Sequence, residues 1–400
     1  MIVDKSETIV RIAAKGDGVT SSGRHVRAGV PGDTVDAAGK LTPGPHRATP
    51  TCPHFGTCGG CQLQHADEAS LHDFVTARVV NAAEGQGVEI GELLPTHLSP
   101  PQSRRRATLH GLRAQKGAVL GFRASGSHQI VDLRVCDVLD PALSRHVKGL
   151  RTLIAEHGGK GPVDVAMALC DQGVDIAIKN LPMEGLAATE AILDYARNTD
   201  VARFSVDLGY GSETVWEPEP VTVSFAGVPV SMPVGAFLQA TPDAEAQMLA
   251  DATEWLSGSG SVVDLFSGLG TFTFALRGGR KVLGVEADHA AHLACKAAAG
   301  RLSDQVFTVH RDLFRNPLTT AELSPFGAAL LDPPRAGAKA QIAQIAASDL
   351  QRVVYVSCNP SSWSRDVAAL HKGGFRLAKL RPVGQFRWST HVELTSLLVR

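Results

Sequence analysis

Several features common in exported and membrane proteins are missing from this sequence. None of its apolar stretches approaches the roughly 20 residues that a membrane-spanning helix needs. Its first residues, MIVDKSETIVRIAAKG, lack the apolar core and cleavage site of a secretory signal. The seven cysteines are an odd number, which argues against a disulfide framework. We therefore expect a cytoplasmic protein whose cysteines serve thiol chemistry or bind a metal.

A strong net charge is missing as well. The 400 residues carry a formal net charge of −1, which is not the basic balance typical of nucleic-acid-binding proteins. Basic residues are nevertheless clustered locally at Arg104–Arg106 and again at Lys379, Arg381 and Arg387. Each cluster is about equally compatible with contacts to phosphates and with an ordinary solvated face.

The sequence has neither internal repeats nor low-complexity segments, and its length predicts two or three domains. Residues 1–48 have short alternating apolar runs separated by glycine, which predict a small β module and a linker. Residues 49–235 contain a helical pattern from Asp67 to about Glu84 and then short apolar runs, which predict a β-rich central domain. Residues 236–400 alternate strand and helix patterns, which predicts an α/β domain with a doubly wound parallel sheet.

A cysteine at the end of an apolar run is the first candidate for chemistry. Residues 352–357 have the pattern of a buried parallel strand, and Asn359–Pro360 ends that strand directly after Cys358. Open α/β sheets place their active sites beyond the carboxyl ends of the strands, so Cys358 is a candidate nucleophile. Unpaired cysteines are also often buried as small apolar residues, and the position alone leaves both interpretations open. The last apolar runs, residues 375–383 and 392–400, are expected to form edge strands.

Residues 262–276 (VVDLFSGLGTFTFAL) have the pattern of a strand, a glycine turn and a helix. Gly268 and Gly270 permit a tight turn and the close approach of a ligand. Glu286 ends the next apolar run, where a carboxylate can accept both hydroxyls of a ribose, and Asp312 ends the third similarly. The turn is shorter than a dinucleotide fingerprint and no phosphate-binding lysine loop is present, so a nucleoside such as S-adenosylmethionine fits better than NAD or ATP. The alternative is that both acids only cap the following helices.

A glycine-rich loop carries three cysteines within ten residues: Cys52, Cys58 and Cys61. This spacing is a strong indication of a metal centre, which needs a fourth ligand. Cys136 is the candidate and Cys170 its competitor, while His54 or His65 is able to complete a zinc site. Spacing alone does not distinguish zinc from an iron–sulfur cluster. Cys170 and Cys295 are otherwise expected to be buried core thiols.

Together the motifs resemble those of the S-adenosylmethionine-dependent RNA uracil-5-methyltransferases, which make 5-methyluridine in ribosomal or transfer RNA. The similarity covers nearly the whole chain. In order, the motifs are FLQAT around Gln239, DLFSGLGTF at 264–272, GVE ending at Glu286, LLDPPRAG at 330–337, VSCNP around Cys358 and HVE ending at Glu393. The resemblance implies a Rossmann-like methyltransferase domain in residues 236–400 and a partial RNA-binding β-barrel module, of the TRAM type, in residues 1–48. Thr241 and Thr271 stand where the family usually has asparagine.

The resemblance also implies a mechanism and a set of site residues. Cys358 attacks C6 of uracil, C5 then takes the methyl group, and Glu393 removes the C5 proton so that elimination frees the enzyme. The residues implied to contact S-adenosylmethionine are Gln239, Phe266, Glu286, Asp312 and Asp332. A four-iron (4Fe-4S) cluster is implied on Cys52, Cys58, Cys61 and Cys136. Arg335 is expected to hold either Asp332 or the RNA backbone.

By the same analogy we expect 23S ribosomal RNA as the substrate, because the cysteine loop is associated more with the bacterial ribosomal RNA enzymes than with the bacterial transfer RNA enzyme. Transfer RNA is the alternative. Two other functions compete: an iron–sulfur oxidoreductase and a non-catalytic iron–sulfur RNA-binding protein. Both leave Cys358 without a role, and the sequence has no flavin or dinucleotide loop. It indicates no membrane association and no obligate protein partner.

Overall fold

The computed structural model describes residues 6–182, 185–302 and 305–400. Its first unit is a curled sheet of short antiparallel strands, ordered β3-β2-β1-β4-β5. These strands are β1 (Glu7–Ile12), β2 (Gly18–Thr20), β3 (His25–Val26), β4 (Thr34–Val35) and β5 (Leu41–Thr42). The buried carboxylate of Asp33 fixes the loops by accepting from the backbone N–H of Val30 at 2.9 Å and of Gly44 at 2.8 Å. The predicted β module is present, with its first five residues outside the described ranges.

A long helix follows the cysteine-containing loop and packs on the C-terminal sheet. The next elements are α1 (Glu68–Glu84), β6 (Ile90–Leu93) and β7 (His97–Leu98). The side chain of Asp67 caps α1 by accepting from the backbone N–H of Ser70, and the buried Phe74 and Val79 join the core of the C-terminal sheet. Both β6 and β7 pair in parallel with a strand near the end of the chain. These contacts join segments almost 300 residues apart, at a distance where local periodicity carries no information.

The middle of the chain forms a six-stranded sheet, ordered β13-β12-β11-β10-β8-β9. Its strands are β8 (Arg106–Arg113), β9 (Ala118–Gly121), β10 (Val163–Cys170), β11 (Gly173–Lys179), β12 (Val201–Asp207) and β13 (Ser212–Trp216). Its helices are α2 (Pro141–Ser144), α3 (His146–His157) and α4 (Leu186–Arg197). Leu150 and Ile154 of α3 and Ile192 of α4 pack into the core of this sheet. A separate hairpin follows, formed by β14 (Thr222–Phe225) and β15 (Val228–Ser231). The β-rich central region is therefore confirmed.

The remaining residues contribute β16 to β22 to a nine-stranded sheet, with helices between the strands, and β6 and β7 complete it. The order is β18-β17-β16-β19-β20-β22-β21-β6, and β7 also pairs with β21. The elements are α5 (Pro242–Trp255), β16 (Ser261–Leu265), α6 (Thr271–Ala275), β17 (Lys281–Glu286), α7 (His289–Ala299), β18 (Val306–His310), α8 (Thr320–Leu323), β19 (Ala328–Leu331), α9 (Lys339–Ala347), β20 (Arg352–Ser357), α10 (Pro360–Lys372), β21 (Arg376–Gly384) and β22 (Glu393–Val399). Strands β16 to β20 are parallel, which confirms the predicted Rossmann-like sheet.

The two last strands differ from their prediction. Strand β22 runs antiparallel between β20 and β21, so it is an interior strand, and β6 covers the far side of β21. The prediction that residues 375–383 and 392–400 form edge strands is therefore wrong, because β22 lies between β20 and β21 and a segment from far upstream, β6, covers β21. Across the ranges that the structure describes, the helices are too short or too polar to cross a membrane.

Candidate active site and cysteine cavity

A pocket of about 630 Å³, called here the catalytic pocket, lies between the middle sheet and the carboxyl ends of β19 and β20. Cys358 lines it directly after β20, and Glu393 lines it as the first residue of β22. Because Ser357 pairs with Leu394 in the β20–β22 ladder, the next residues outward on the two strands, Cys358 and Glu393, lie side by side. The sequence placed these two residues 35 positions apart, and the antiparallel pairing brings them together.

The electrostatic surroundings of Cys358 keep its thiol protonated. Burial, with the negative charges of Glu393 and Asp332, raises the pKa of Cys358 to about 11, against the opposing charge of Arg335. Arg106 faces both Cys358 and Glu393 from the middle sheet. A thiolate at this position therefore needs its proton removed and the neighbouring carboxyls neutralised.

Glu393 is buried, and burial raises its pKa to about 7, although a hydrogen bond from Gln385 and the charge of Arg106 favour the ionised form. Burial, with the charges of Glu393 and Asp264, also raises the pKa of Asp332 well above its usual value. A carboxyl that titrates near neutral pH can accept a proton in one step and release it in the next. The geometry therefore supplies a thiol and an adjustable proton acceptor in one pocket.

A chain of side-chain amides connects the strand ends. Nε2 of Gln239 donates to Oδ2 of Asp332 at 2.9 Å, and Nε2 of Gln385 donates to Oε1 of Gln239 at 3.1 Å. Oε1 of Gln385 accepts from the backbone N–H of Ala240 at 2.8 Å. Gln385, which also bonds to Glu393, was missed by the sequence analysis. It lies directly after β21 and belongs to none of the motifs, so its importance follows only from the pairing of β21 with β22.

The glycine turn after β16 is tied to the end of β17. The carboxylate of Glu286 accepts from the backbone N–H of Gly268 at 2.8 Å, of Ala287 at 2.8 Å and of Asp288 at 2.6 Å. A Cβ on Gly268 would meet no atom within 4 Å, which shows that the turn is open on this side. At Gly270, with φ +94°, a Cβ would lie 2.5 Å from the ring of Phe274. The turn therefore needs glycine at Gly270 and leaves room for a ligand beside Gly268.

Two further residues border the same turn. Phe266 has a φ of 65°, a strained backbone conformation, and its ring centroid lies 5.4 Å from that of Phe314. Asp264 is fully buried, and among the described residues only one of its carboxylate oxygens has a partner, the hydroxyl of Thr273. Burial raises the pKa of Asp264 to about 7. An unpaired buried oxygen and an aromatic side chain beside an open turn are features of a ligand site.

Asp312 is placed differently from the other predicted contacts. It lies two residues beyond β18, and its Oδ1 accepts from the backbone N–H of Phe314 at 2.9 Å and of Arg315 at 3.3 Å. Its carboxylate therefore caps its own turn and not the following helix, which begins at Thr320. The second oxygen lies 3.5 Å from Nε of the exposed Arg315.

Four cysteines line one small cavity, called here the cysteine cavity: Cys52, Cys58, Cys61 and Cys136. Burial, with the charges of the other three thiols, raises the pKa of Cys61 to about 12. Cys170 lies elsewhere, at the end of β10, where its thiol donates to the carbonyl of Gly173 at 3.2 Å. Cys295 is buried in the core, as expected. Within the described part of the chain, no group of three or more His, Cys, Asp or Glu side chains is arranged to hold a metal ion.

The two histidines considered as ligands stand outside this cavity's lining. Nε2 of His54 accepts from the backbone N–H of Arg134 at 3.0 Å. His65 is buried, its ring stacks 5.5 Å from that of Phe55, and neither ring nitrogen has a partner among the described residues.

The loop that carries three of these cysteines also forms a wall of the catalytic pocket. The backbone N–H groups of Gln62 and Leu63 donate to the carbonyl of Trp388 at 2.7 and 2.9 Å. Oε1 of Gln62 accepts from the backbone N–H of Thr390 at 3.3 Å. Arg104 lines both cavities. The cysteine loop is thus packed against the segment that leads into Glu393.

Comparison with known proteins is consistent with this geometry. Residues 229–400 match the tRNA (uracil-5-)-methyltransferase family. An RNA methyltransferase of Zymomonas mobilis is 44% identical over 98% of this chain and 99% of its own. The 23S rRNA (uracil(1939)-C(5))-methyltransferase RlmD of Pectobacterium atrosepticum is 31% identical over 90% of this chain and 82% of its own.

A solved structure has the same fold. The tRNA (uracil-54, C5)-methyltransferase of Pyrococcus abyssi, determined in complex with S-adenosyl-L-homocysteine, matches with a TM-score of 0.76. The match covers 99% of this chain and 100% of that chain, at 20% identity. At this identity the likeness establishes the fold, including the sheets on either side of the catalytic pocket.

Proposed function

This chain belongs to the RNA uracil-5-methyltransferase family, and from that premise we propose that it transfers a methyl group from S-adenosylmethionine to C5 of a uridine in 23S ribosomal RNA. The observation that carries the proposal is the position of Cys358 beside Glu393 in one pocket. Ribosomal RNA is favoured over transfer RNA by the 31% identity to the ribosomal RNA enzyme along 90% of this chain.

The chemistry explains why a thiol and a base are needed together. C5 of uracil is a poor nucleophile until a group adds at C6, so the sulfur of Cys358 forms a bond to C6 and the ring becomes an enolate. S-adenosylmethionine supplies an electrophilic methyl group, which C5 accepts. Glu393 then removes the proton from C5, and the electron pair of that bond expels the sulfur of Cys358. The products are the methylated uridine, S-adenosylhomocysteine and the free thiolate, and the C5 proton is left on Glu393.

The charged groups around Cys358 support the first of these steps. Glu393 and Asp332 both have raised pKa values, so in their neutral forms they do not oppose a thiolate. Arg106 and Arg335 face the thiol with positive charge. We propose that a bound uridine completes this balance, with Cys358 releasing its proton to solvent as the bond to C6 forms.

We propose that S-adenosylmethionine lies along the strand ends, beside the glycine turn. The open side of Gly268 and the unpaired oxygen of Asp264 support this placement. Glu286 would accept the ribose hydroxyls, and Phe266 would pack on the base. Gln239 and Asp332 would hold the end that bears the sulfonium, near Cys358. Asp312 is a weaker candidate, because its carboxylate contacts its own turn and Arg315, whereas that of Glu286 also bonds to the glycine turn through Gly268.

We further propose that the cysteine cavity holds a 4Fe-4S cluster on Cys52, Cys58, Cys61 and Cys136. In such a cluster each thiolate binds a different iron, whereas zinc gathers four ligands on one ion. The four thiols line a common cavity, and the family resemblance favours the cluster over zinc there. Methyl transfer is electron-neutral, so the cluster would hold the loop against the catalytic pocket rather than carry electrons.

The division into three domains is retained as part of this proposal: residues 1–48 as a TRAM-like RNA-binding module, 49–235 as the central domain and 236–400 as the methyltransferase domain. The first segment contains the strands of the curled sheet, and the last contains most strands of the nine-stranded sheet. Strands β6 and β7, from residues of the second segment, complete that sheet and so tie the two domains together.

A methylation assay tests the proposal. Purified protein is incubated with methyl-labelled S-adenosylmethionine and with transcripts of 23S ribosomal RNA or transfer RNA, and 5-methyluridine is then mapped. We expect label at C5 of a specific uridine in the ribosomal transcript. Label only in transfer RNA would assign the protein to the alternative substrate, and a Cys358→Ala variant with full activity would contradict the mechanism.

A further inference from the structure

A second cleft, of about 390 Å³, separates the N-terminal sheet from α1. Arg11 of β1 lies in one wall and Arg78 of α1 in the other. The cleft reaches Pro360 and Ser361 at the start of α10, only two residues beyond Cys358. The cleft therefore shares no lining residue with the catalytic pocket, although residues that line the two are neighbours in sequence.

Among the described residues, Arg78 is a cation without a partner in this cleft. It is half-buried, its Nε makes no hydrogen bond to any described residue, and burial lowers its pKa with no neighbouring carboxylate to oppose that effect. The lining of the cleft contains two arginines and a single acid, Asp73. Burying part of a guanidinium without a nearby anion costs free energy, so an anionic ligand would stabilise the protein here.

The positive charge continues from the cleft to the catalytic pocket. The pKa of His391, which lines that pocket, is lowered by burial and by the charges of Arg335, Arg104 and Arg78. Arg78 is thus near enough to the pocket to act on a residue inside it. Arg335 is exposed and acts in the same way on Cys358. Arginines therefore line both the cleft, at Arg11 and Arg78, and the catalytic pocket, at Arg104 and Arg335.

We propose that the cleft binds a backbone phosphate of the RNA strand that presents the target uridine, with Arg78 as its main contact and Arg11 as a second. An enzyme that reacts with a base acts on a single strand or takes that base out of the stack. Where the RNA beside the target is single-stranded, its phosphates are accessible to the guanidinium groups of arginines. The inference rests on the proposed RNA substrate, and adds to it the path along which the strand enters.

Salt-dependent binding tests the cleft without requiring any chemistry. The full-length protein is titrated, without S-adenosylmethionine, into a labelled single-stranded RNA oligonucleotide containing uridine, and fluorescence anisotropy gives Kd at several salt concentrations. We expect Arg78→Gln to weaken binding about ten-fold at low salt and to make the slope of log K against log salt shallower by about 0.7.

The matched control is Arg376→Gln, which removes the same charge. Arg376 is exposed and pairs with Val399, which also pairs with Arg352 at the start of β20, so it lies at the end of the sheet opposite Cys358. We expect its slope to equal that of the unaltered protein. Equal slopes for Arg78→Gln and Arg376→Gln would overturn the proposal.

A second variant guards against misfolding of Arg78→Gln. Asp73 is exposed in the same cleft, and Asp73→Asn removes the acid that opposes a phosphate there, so we expect binding about two-fold tighter at low salt. Weaker or unchanged binding would contradict the phosphate site. The cleft and the proposed chemistry can fail separately. If Arg78→Gln changes the slope but the protein forms no covalent adduct with uridine, the phosphate site is supported and the uracil-5 chemistry is contradicted. If the adduct forms but the slope is unchanged, the chemistry is supported and the phosphate site is contradicted.

Discussion

Nε2 of Gln239 donates a hydrogen bond to Oδ2 of Asp332 at 2.9 Å, and the two residues are 93 positions apart in sequence. Gln239 in turn accepts from Gln385, and Gln385 bonds to Glu393. The residues proposed to hold the cofactor and the proposed base therefore share one hydrogen-bond network. A change in the middle of that network is expected to alter proton transfer at its end.

Replacing Gln385 by leucine tests this coupling. The hydrogen bond from Gln385 lowers the pKa of Glu393, so its loss raises that pKa and a higher pH is needed to ionise the base. We expect the rising limb of the pH–rate profile to move to higher pH, with turnover at pH 7 reduced about ten-fold. Gln351→Leu, on the exposed surface, is the control. An unshifted profile for Gln385→Leu would show that the network does not reach the base.

Glu393→Gln separates methyl transfer from proton removal. The variant retains Cys358, so the bond to C6 forms and C5 accepts the methyl group, but the C5 proton stays and the sulfur is not expelled. We expect a methylated protein–RNA adduct to accumulate on unmodified RNA, with turnover lower by about 10²–10⁴-fold. Denaturing gel electrophoresis with labelled S-adenosylmethionine detects it. Normal turnover by this variant would assign the proton to another base.

The pKa of Glu393 also predicts how stability depends on pH. It is about 7 in the folded protein and near 4.5 ordinarily, so between these pH values the folded state holds a proton that the unfolded state has lost. The stabilisation is full below pH 4.5 and is lost as pH rises through 7. Urea unfolding should show Glu393→Gln gaining ~2–3 kcal/mol relative to the unaltered protein over that range. A difference that is constant with pH would contradict a buried neutral carboxyl.

Iron content tests the assignment of the cysteine cavity. Cys58→Ser removes one proposed cluster ligand, whereas Cys170→Ser removes a thiol that bonds only to its own hairpin. Proteins purified without oxygen should contain iron and sulfide in the unaltered form and in Cys170→Ser, and lose most of both in Cys58→Ser. Zinc in place of iron, or equal losses in the two variants, would refute a four-iron cluster on these cysteines.

Local patterns in the sequence were sufficient for the parallel part of the fold. The run before Cys358, the glycine turn at Gly268 and the strand end at Glu286 are all features of neighbouring residues, and the structure has them as expected. The interior position of β21 was not predictable in this way, because it depends on β6 arriving from nearly 300 residues upstream. Gln385 was missed because its contacts depend on the pairing of β21 with β22.

Residue type alone also left some roles undecided. Both Glu286 and Asp312 follow a strand and accept from the backbone of their own turn, and only the structure shows that Glu286 also bonds to the glycine turn at Gly268. The location of Cys136 beside the cysteine loop likewise has no local signal, since the two are joined only by the folding of the middle sheet. These contacts depend on tertiary structure, whereas periodicity reports only on secondary structure.

The central claim is that Cys358 forms a covalent bond to C6 of the target uridine. The most direct measurement uses RNA with 5-fluorouridine at the target and S-adenosylmethionine, because fluorine at C5 cannot leave as a proton and the adduct is trapped. We expect a stable protein–RNA complex whose cross-linked peptide, identified by mass spectrometry, contains Cys358, and no complex with Cys358→Ala. Cys170→Ala should form it normally. A cross-link on another residue, or a complex that survives Cys358→Ala, would contradict the account.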